Sequence, residues 1–201
     1  QRDGARQQGE TRTMTEAKLF GRWDVGDDDI EFSDRSTERY IEVSPVAHTM
    51  GRHADKQFEK SELNVVERLA NRLMADGPNT GKKEQSIGIV REALDEIADR
   101  TDEHPVQVLV RAVENAGPRE ETVTLKYGGI SVPKAVDVAP QRRVDQALKF
   151  IADAVVQGSY KNPRDAHEVL ADEILSAANY DVECSSIAKK EEVERVAAAA
   201  R

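Results

Sequence analysis

The chain has 201 residues, 38 Asp and Glu against 29 Lys and Arg for a formal net charge of -9, one cysteine, and only 4% aromatics. That length suits one compact unit with an appendage, and the scarcity of aromatics leaves its core to Ala, Val, Leu and Ile. The lone Cys184 excludes an internal disulfide framework and a multi-cysteine zinc site, and no run approaches the ~20 apolar residues of a membrane-spanning helix.

The net charge would argue against a nucleic-acid partner only if it were spread evenly. It is not. Residues 24–42 hold eight acids and two bases, whereas residues 122–143 hold Lys126, Lys134, Arg142 and Arg143 against Asp137 alone. A second basic island is Arg52, His53, Lys56 and Lys60, diluted by Asp55 and Glu59. One face can therefore be basic while the sum is acidic.

Residues 1–17 are polar and aperiodic, so a disordered tail is expected there. They lack the apolar run of a secretory signal, and the cytoplasm is the expected compartment. Residues 18–60 form an arm in which partial alternation at Ile30, Phe32, Tyr40, Ile41 and Val43 suggests short strands or an irregular path, followed by the basic loop 48–60.

From residue 61 to 201 the apolar period is helical, and six helices are expected. Leu63, Val66, Leu69 and Leu73 mark the first, with Ser61 as its expected cap. Ile87, Val90, Leu94 and Ile97 mark the second, and Val106, Leu109, Val110 and Val113 the third, opened by Pro105. Val144, Leu148, Ile151 and Val155 mark the fourth, after Pro140. Ala166, Leu170, Ile174 and Ala177 mark the fifth, and an Ala-rich sixth covers 186–201.

Between the third and fourth helices, residues 119–138 alternate on both sides of Gly128-Gly129. Glycine there supplies the positive φ of a tight hairpin turn, and Pro133 confines its strand to an edge. The fold class is thus mainly α: a six-helix domain with a projecting β-hairpin and an N-terminal arm.

Basic pairs open three of these helices: Lys82-Lys83, Arg142-Arg143 and Lys189-Lys190. A helix N-terminus carries about half a positive charge, so each misplaced cation forfeits roughly 0.3–1 kcal/mol unless an anion sits there. One such pair is an ordinary surface feature. Three together, beside a basic loop and an acid-poor hairpin, favour phosphate spaced along a folded nucleic acid. RNA is preferred because no helix-turn-helix, zinc finger or basic zipper is present.

Enzymatic motifs fail on spacing. Residues 77–83, GPNTGKK, have three residues between the glycines where a phosphate-binding loop needs four, and Lys83 where a Ser or Thr must reach magnesium. His167-Glu168 begins a zincin-like string, but Ala171 stands where its second histidine belongs. His48 and His53 lack a third ligand, and Cys184 lacks a positioned base. No catalytic residue, metal or cofactor is expected.

Five strings in order, GRHADKQFEK at 51–60, VERLANRLMADGPNTGKK at 66–83, HPVQVLVRAVENAGPREE at 104–121, VDVAPQRRVDQAL at 136–148 and SIAKKEEVERVA at 186–197, resemble the family of ribosomal protein seven of the small subunit in its archaeal form. The resemblance runs from about Phe20 to Arg201. It implies a non-enzymatic protein that binds small-subunit ribosomal RNA, nucleates assembly of the subunit head and faces the exit tRNA and messenger path, beside neighbouring head proteins. Carried over by position, the RNA-facing residues are Arg52, His53, Lys56, Lys60, Lys82, Lys83, Lys126, Lys134, Arg142, Arg143, Lys189 and Lys190. The tip at Tyr127, Gly128 and Gly129, with Arg201, is expected near tRNA and messenger. The arm, 18–50, resembles the archaeal and eukaryotic extension.

Family members are typically basic, whereas this chain is acidic with 11 Lys and 18 Arg among its 29 bases. That balance suggests a cytoplasm of very high salt. There the Debye length is only about 3 Å at 1 M, and acids on helix backs such as Glu92, Asp95, Glu96 and Asp99 repel one another little. The rival reading is a free acidic helical interaction module whose basic pairs are incidental.

Overall fold

A computed structural model describes residues 18–25, 30–51, 53, 55–75 and 79–201. The expected tail, 1–17, and Arg52 lie outside the described residues. The order is α1 (Arg35–Glu38), a 3-10 turn (Glu59–Glu62), α2 (Val65–Leu73), α3 (Lys83–Arg100), α4 (Pro105–Ala116), β1 (Glu120–Tyr127), β2 (Ile130–Asp137), α5 (Pro140–Ser159), α6 (Ala166–Ala178) and α7 (Ser185–Ala199). The six helices read from the apolar period are α2 to α7.

Their apolar stripes meet in one core. α6 packs against α3, α4 and α5, while α5 also covers α2 and α7. Leu69, Leu94, Leu109, Ile151, Leu170 and Ile174 are fully buried where these faces cross. Aliphatic burial at about 25 cal/mol per Å² drives this packing, and few rings are needed.

One start differs from expectation. α2 begins at Val65, not after Ser61, because the Asn64 side chain accepts from the Val66 N–H at 2.8 Å and donates to the Ser44 carbonyl. Ser61 sits in the preceding 3-10 turn, where its hydroxyl accepts from Gln141 on α5 at 3.0 Å. Asparagine and serine cap about equally well, so the second bond of Asn64, to Ser44, decides the start and ties the arm to the helix.

The arm takes the irregular form of the two expected. In place of short strands, its described residues have α1 and two single-residue bridges, Leu19 with Trp23 and Glu42 with Asn64. Leu19, Ile30 and Ile41 drop singly into the helical core, so the arm gains burial without pairing strands. Its backbone groups are met by side chains of α4. Gln107 accepts from the Glu31 N–H and donates to the Glu31 carbonyl, both at 2.8 Å, and the Glu114 carboxylate accepts from the N–H groups of Ser33 and Asp34.

β1 and β2 pair antiparallel from Glu120–Asp137 to Tyr127–Ile130, with Thr124 opposite Pro133. Gly128 and Gly129 take φ of 57° and 87°, the left-handed pair that a two-residue hairpin turn requires. The root is fixed to α7, where Glu194 accepts from the Arg119 N–H at 2.8 Å and Arg201 meets Glu120. Beyond the root the hairpin is exposed, with Ile130 at 70%. Eight residues at about 3.4 Å each carry its tip roughly 25 Å from that root. Deleting residues 126–132 is therefore expected to leave the helical circular dichroism intact and to move Tm by less than about 3 °C. Loss of the helical signal would mean that the hairpin supports the core.

Candidate nucleic-acid interface

Each of the three basic pairs is split by the geometry of its helix. Adjacent residues are about 100° apart around a helix, so one base turns into the fold while the other stays outside. Lys83 turns to the buried Glu67 on α2. Arg143, 7% exposed, donates through Nη1 to Asp34 Oδ2 and Ser36 Oγ, each at 2.8 Å. Lys190, 8% exposed, lies 4.6 Å from the centre of the Tyr180 ring and 3.2 Å from its hydroxyl.

Lys82, Arg142 and Lys189 are the exposed members. Arg142 meets Glu121 of the hairpin root at 2.8 Å, which pushes the guanidinium pKa up, and Lys189 meets Glu192 at 2.7 Å. The anion expected at the start of α7 is supplied internally: Glu173 Oε1 accepts from the Ser186 N–H at 2.7 Å. Neither N-cap residue, Lys82 of α3 nor Ala139 of α5, caps its helix with its own side chain.

The basic loop, α2 and α5 enclose a cleft of about 360 Å³. His53, Lys60, Arg68, Asn71, Arg72 and Asp145 give it polar walls, and Leu63, Ala75 and Leu148 give it apolar surface. Asp145 binds Lys60 through one oxygen and Arg68 through the other, at 3.0 Å for the latter. Burial lowers the Arg68 pKa while Asp145 opposes that shift, and a guanidinium stays charged throughout.

Thr49 joins the cleft to α3, since it bonds His53 Nε2 at 3.1 Å and Glu67, the partner of Lys83. Two sets of contacts therefore meet at the cleft: Lys83, Glu67, Thr49 and His53 on the α3 side, and Lys60, Arg68 and Asp145 on the α5 side. Farther along α5, Lys149 follows Arg142 by two helical turns, and Lys189 borders the next turn beside Asp153.

Of the residues expected at an interface, the structure brings His53 and Lys60 together in the cleft and leaves Lys82, Arg142 and Lys189 exposed at the helix starts, whereas Lys83, Arg143 and Lys190 turn inward. Lys56 is exposed on the loop, 4.0 Å from Glu59. Lys126 and Lys134 stand apart on the hairpin, exposed. Arg201 is at the hairpin root, where it meets Glu120. Arg68, Asn71, Arg72 and Lys149 were missed. Arg68 and Arg72 are four residues apart on a helix the apolar period had already placed, and a search for adjacent bases passes over that spacing.

Cys184, His167 and Glu168 are engaged within the protein. Cys184 is buried, its Sγ 3.1 Å from both Glu173 Oε1 and Ser186 Oγ, and burial pushes its pKa up, which favours an inert thiol. Asp165, His167 and Glu168 lie close together, but His167 meets Glu92 at 3.5 Å and Glu168 meets Arg164 at 3.6 Å. Two of the acids on helix backs have arginine partners, Asp95 with Arg22 and Glu96 with Arg100, so salt is not their sole neutraliser.

The family model for ribosomal protein S7p/S5e matches residues 36–201. The chain belongs to that family. It is 68% identical over 187 residues to small ribosomal subunit protein uS7 of Halococcus morrhuae, covering 93% of this chain and 91% of that protein. The uS7 of Haloarcula marismortui is 66% identical over 185 residues, covering 92% and 89%, and that of Methanothrix thermoacetophila is 56% identical over 186 residues, covering 92% and 100%. Family membership makes the protein structural and non-enzymatic. The salt-loving archaea among its relatives bear out the archaeal resemblance and the high-salt reading of its acidity.

Proposed function

We propose that the chain is a structural constituent of the small ribosomal subunit, in the cytoplasm, that binds small-subunit ribosomal RNA directly and nucleates assembly of the subunit head. The observation that supports this is the cleft that gathers His53, Lys60, Arg68 and Arg72 around one carboxylate, together with the exposed Arg142 at the start of α5, on a chain of net charge -9. Phosphate contacts from such bases fix position and supply most of the affinity. Arg143, Lys83 and Lys190 act from beneath, holding the surface that the exposed bases present. The hairpin extends toward the exit tRNA and messenger path with its tip at Tyr127, Gly128 and Gly129, Lys126 and Lys134 facing phosphate along it. The acidic remainder is left for solvent and neighbouring head proteins. The rival interaction module needs its bases scattered over opposite faces, and the gathering of His53, Lys60, Arg68 and Arg72 in one cleft weighs against it.

Footprinting the full chain on purified small-subunit RNA at multimolar salt tests the reading. Saturable protection confined to the head domain is expected. Equal affinity for an unrelated RNA of the same length at every ionic strength would overturn it.

A further inference from the structure

We infer that the cleft between the basic loop, α2 and α5 takes one unstacked nucleotide of the RNA, its base against Leu63, Ala75 and Leu148 and its flanking phosphates at Lys60 and Arg72. The inference rests on the RNA-binding reading above and deepens it. Its volume of about 360 Å³ falls in the range of roughly 300–1,000 Å³ in which proteins hold one small ligand.

Charge selects the ligand class. The lining carries Lys60, Arg68 and Arg72 against the single carboxylate of Asp145, with His53 beside them. By contrast, the cleft at the α6–α7 junction sets Arg164 against Asp172, Glu173, Asp181 and Glu183, and the cleft between α3 and α6 has Glu92 and Asp165 with no Lys or Arg. Only the first of these three attracts a polyanion.

Asp145 separates a base from a bare phosphate. Its carboxylate lies within the lining, where it repels phosphate but accepts from the ring N–H and amino groups of a base edge. The bonds to Lys60 and Arg68 use one lone pair on each oxygen and leave acceptor capacity on both. The Asn71 amide adds a donor and an acceptor on the same wall. An apolar floor with a mixed donor and acceptor edge suits a splayed base, the usual object of sequence-dependent RNA recognition. The rim cations suit the phosphates on either side of it.

The experiment compares the full chain with Ala75→Phe and Asn71→Ala, each bound to small-subunit ribosomal RNA, by base-edge reactivity, hydroxyl-radical protection and affinity at several salt concentrations. Ala75 is exposed just after α2, so Ala75→Phe fills the cleft without changing charge or opening the core. The parent is expected to protect the base edge of one unpaired nucleotide. Ala75→Phe should restore reactivity there and lower affinity about tenfold, with backbone protections kept and the slope of log K against log salt unchanged, because no phosphate contact is lost. If Ala75→Phe does not fold, restored reactivity at the same nucleotide in Asn71→Ala carries the test. A parent that protects backbone but no unpaired base, or variants that match it, overturns the inference and leaves RNA binding standing. A parent that does not bind this RNA overturns both.

Discussion

Arg143→Ala is expected to destabilise the full chain by about 2 kcal/mol, a fall in Tm of about 4–8 °C at neutral pH, while its RNA affinity stays within about twofold of the parent. Cutting a fully buried ion pair costs roughly 3–5 kcal/mol, and the smaller figure reflects a partner on the solvent side. Arg143 is 8% exposed at its side chain but Asp34 is 25% exposed. What is lost is a latch. Asp34 caps α1, its backbone N–H donates to Glu114 of α4, and Arg143 of α5 closes the group from below. Without the guanidinium, the arm keeps Ile30 and Ile41 in the core but loses the ionic tie that orients α1.

The pH dependence makes the latch testable apart from packing. Asp34 is held down at about 2, against an ordinary 3.8, by the Ser36 hydroxyl first and by Arg143 after it, with burial opposing. A depressed carboxylate contributes stability that is present above pH 3.8 and lost as pH falls toward 2. Glu114 is shifted the other way, raised chiefly by burial, so its own contribution is lost as pH rises past 4.5. Both carboxylates face Arg143, and acidification neutralises Glu114 first and Asp34 last. The gap in Tm between parent and Arg143→Ala should therefore narrow as pH falls below Glu114's raised pKa and be clearly smaller by pH 2, where Asp34 is about half protonated. A gap that stays constant over that range would show that Arg143 acts by packing alone.

The neighbouring Arg142 shows how far the sequence reaches. That both arginines open α5 is legible from Pro140 and the apolar period behind it. That Arg143 turns inward was not read from the sequence, which set both arginines facing RNA; the structure shows it on the stripe of Ala147, Phe150 and Ala154, four, seven and eleven residues on and buried. Lys83 stands in the same relation to Ser86 and Val90, and Lys190 to Ile187 and Ala197. The partners were not legible. Glu67, Asp34 and Tyr180 are 16, 109 and 10 residues from the bases they meet, and no local pattern links them. The same holds for Asn64 displacing Ser61 as a cap, a choice settled by the distant Ser44 carbonyl. The hairpin was legible because Gly128-Gly129 is a local signal with a local cause. The cleft was not, because it exists only where a loop, α2 and α5 meet.

Reversing charge at the exposed bases should act on binding and spare the fold. Replacing Arg72 and Arg142 together with glutamate is expected to weaken binding to a head-domain RNA fragment about 100-fold and to reduce the slope of log K against log salt by about 2, one for each phosphate contact removed. Both side chains are exposed, and what Arg142 forfeits is a surface pair with Glu121, so stability should change by less than about 1 kcal/mol. The control reverses Asp99 and Asp102 to lysine. Asp99 lies in the last turn of α3, sixteen residues and roughly 24 Å from its basic start, Asp102 lies just past the helix end, and both are exposed. Reversing two charges there raises the net charge from -9 to -5 yet should change affinity by less than about threefold, since at multimolar salt a charge beyond a few ångströms from phosphate is screened. If binding depended on total charge, the control would strengthen it as much as the Arg72 and Arg142 reversal weakens it. A large loss in one variant and almost none in the other requires that position on the surface, and not the sum, decides where RNA is held.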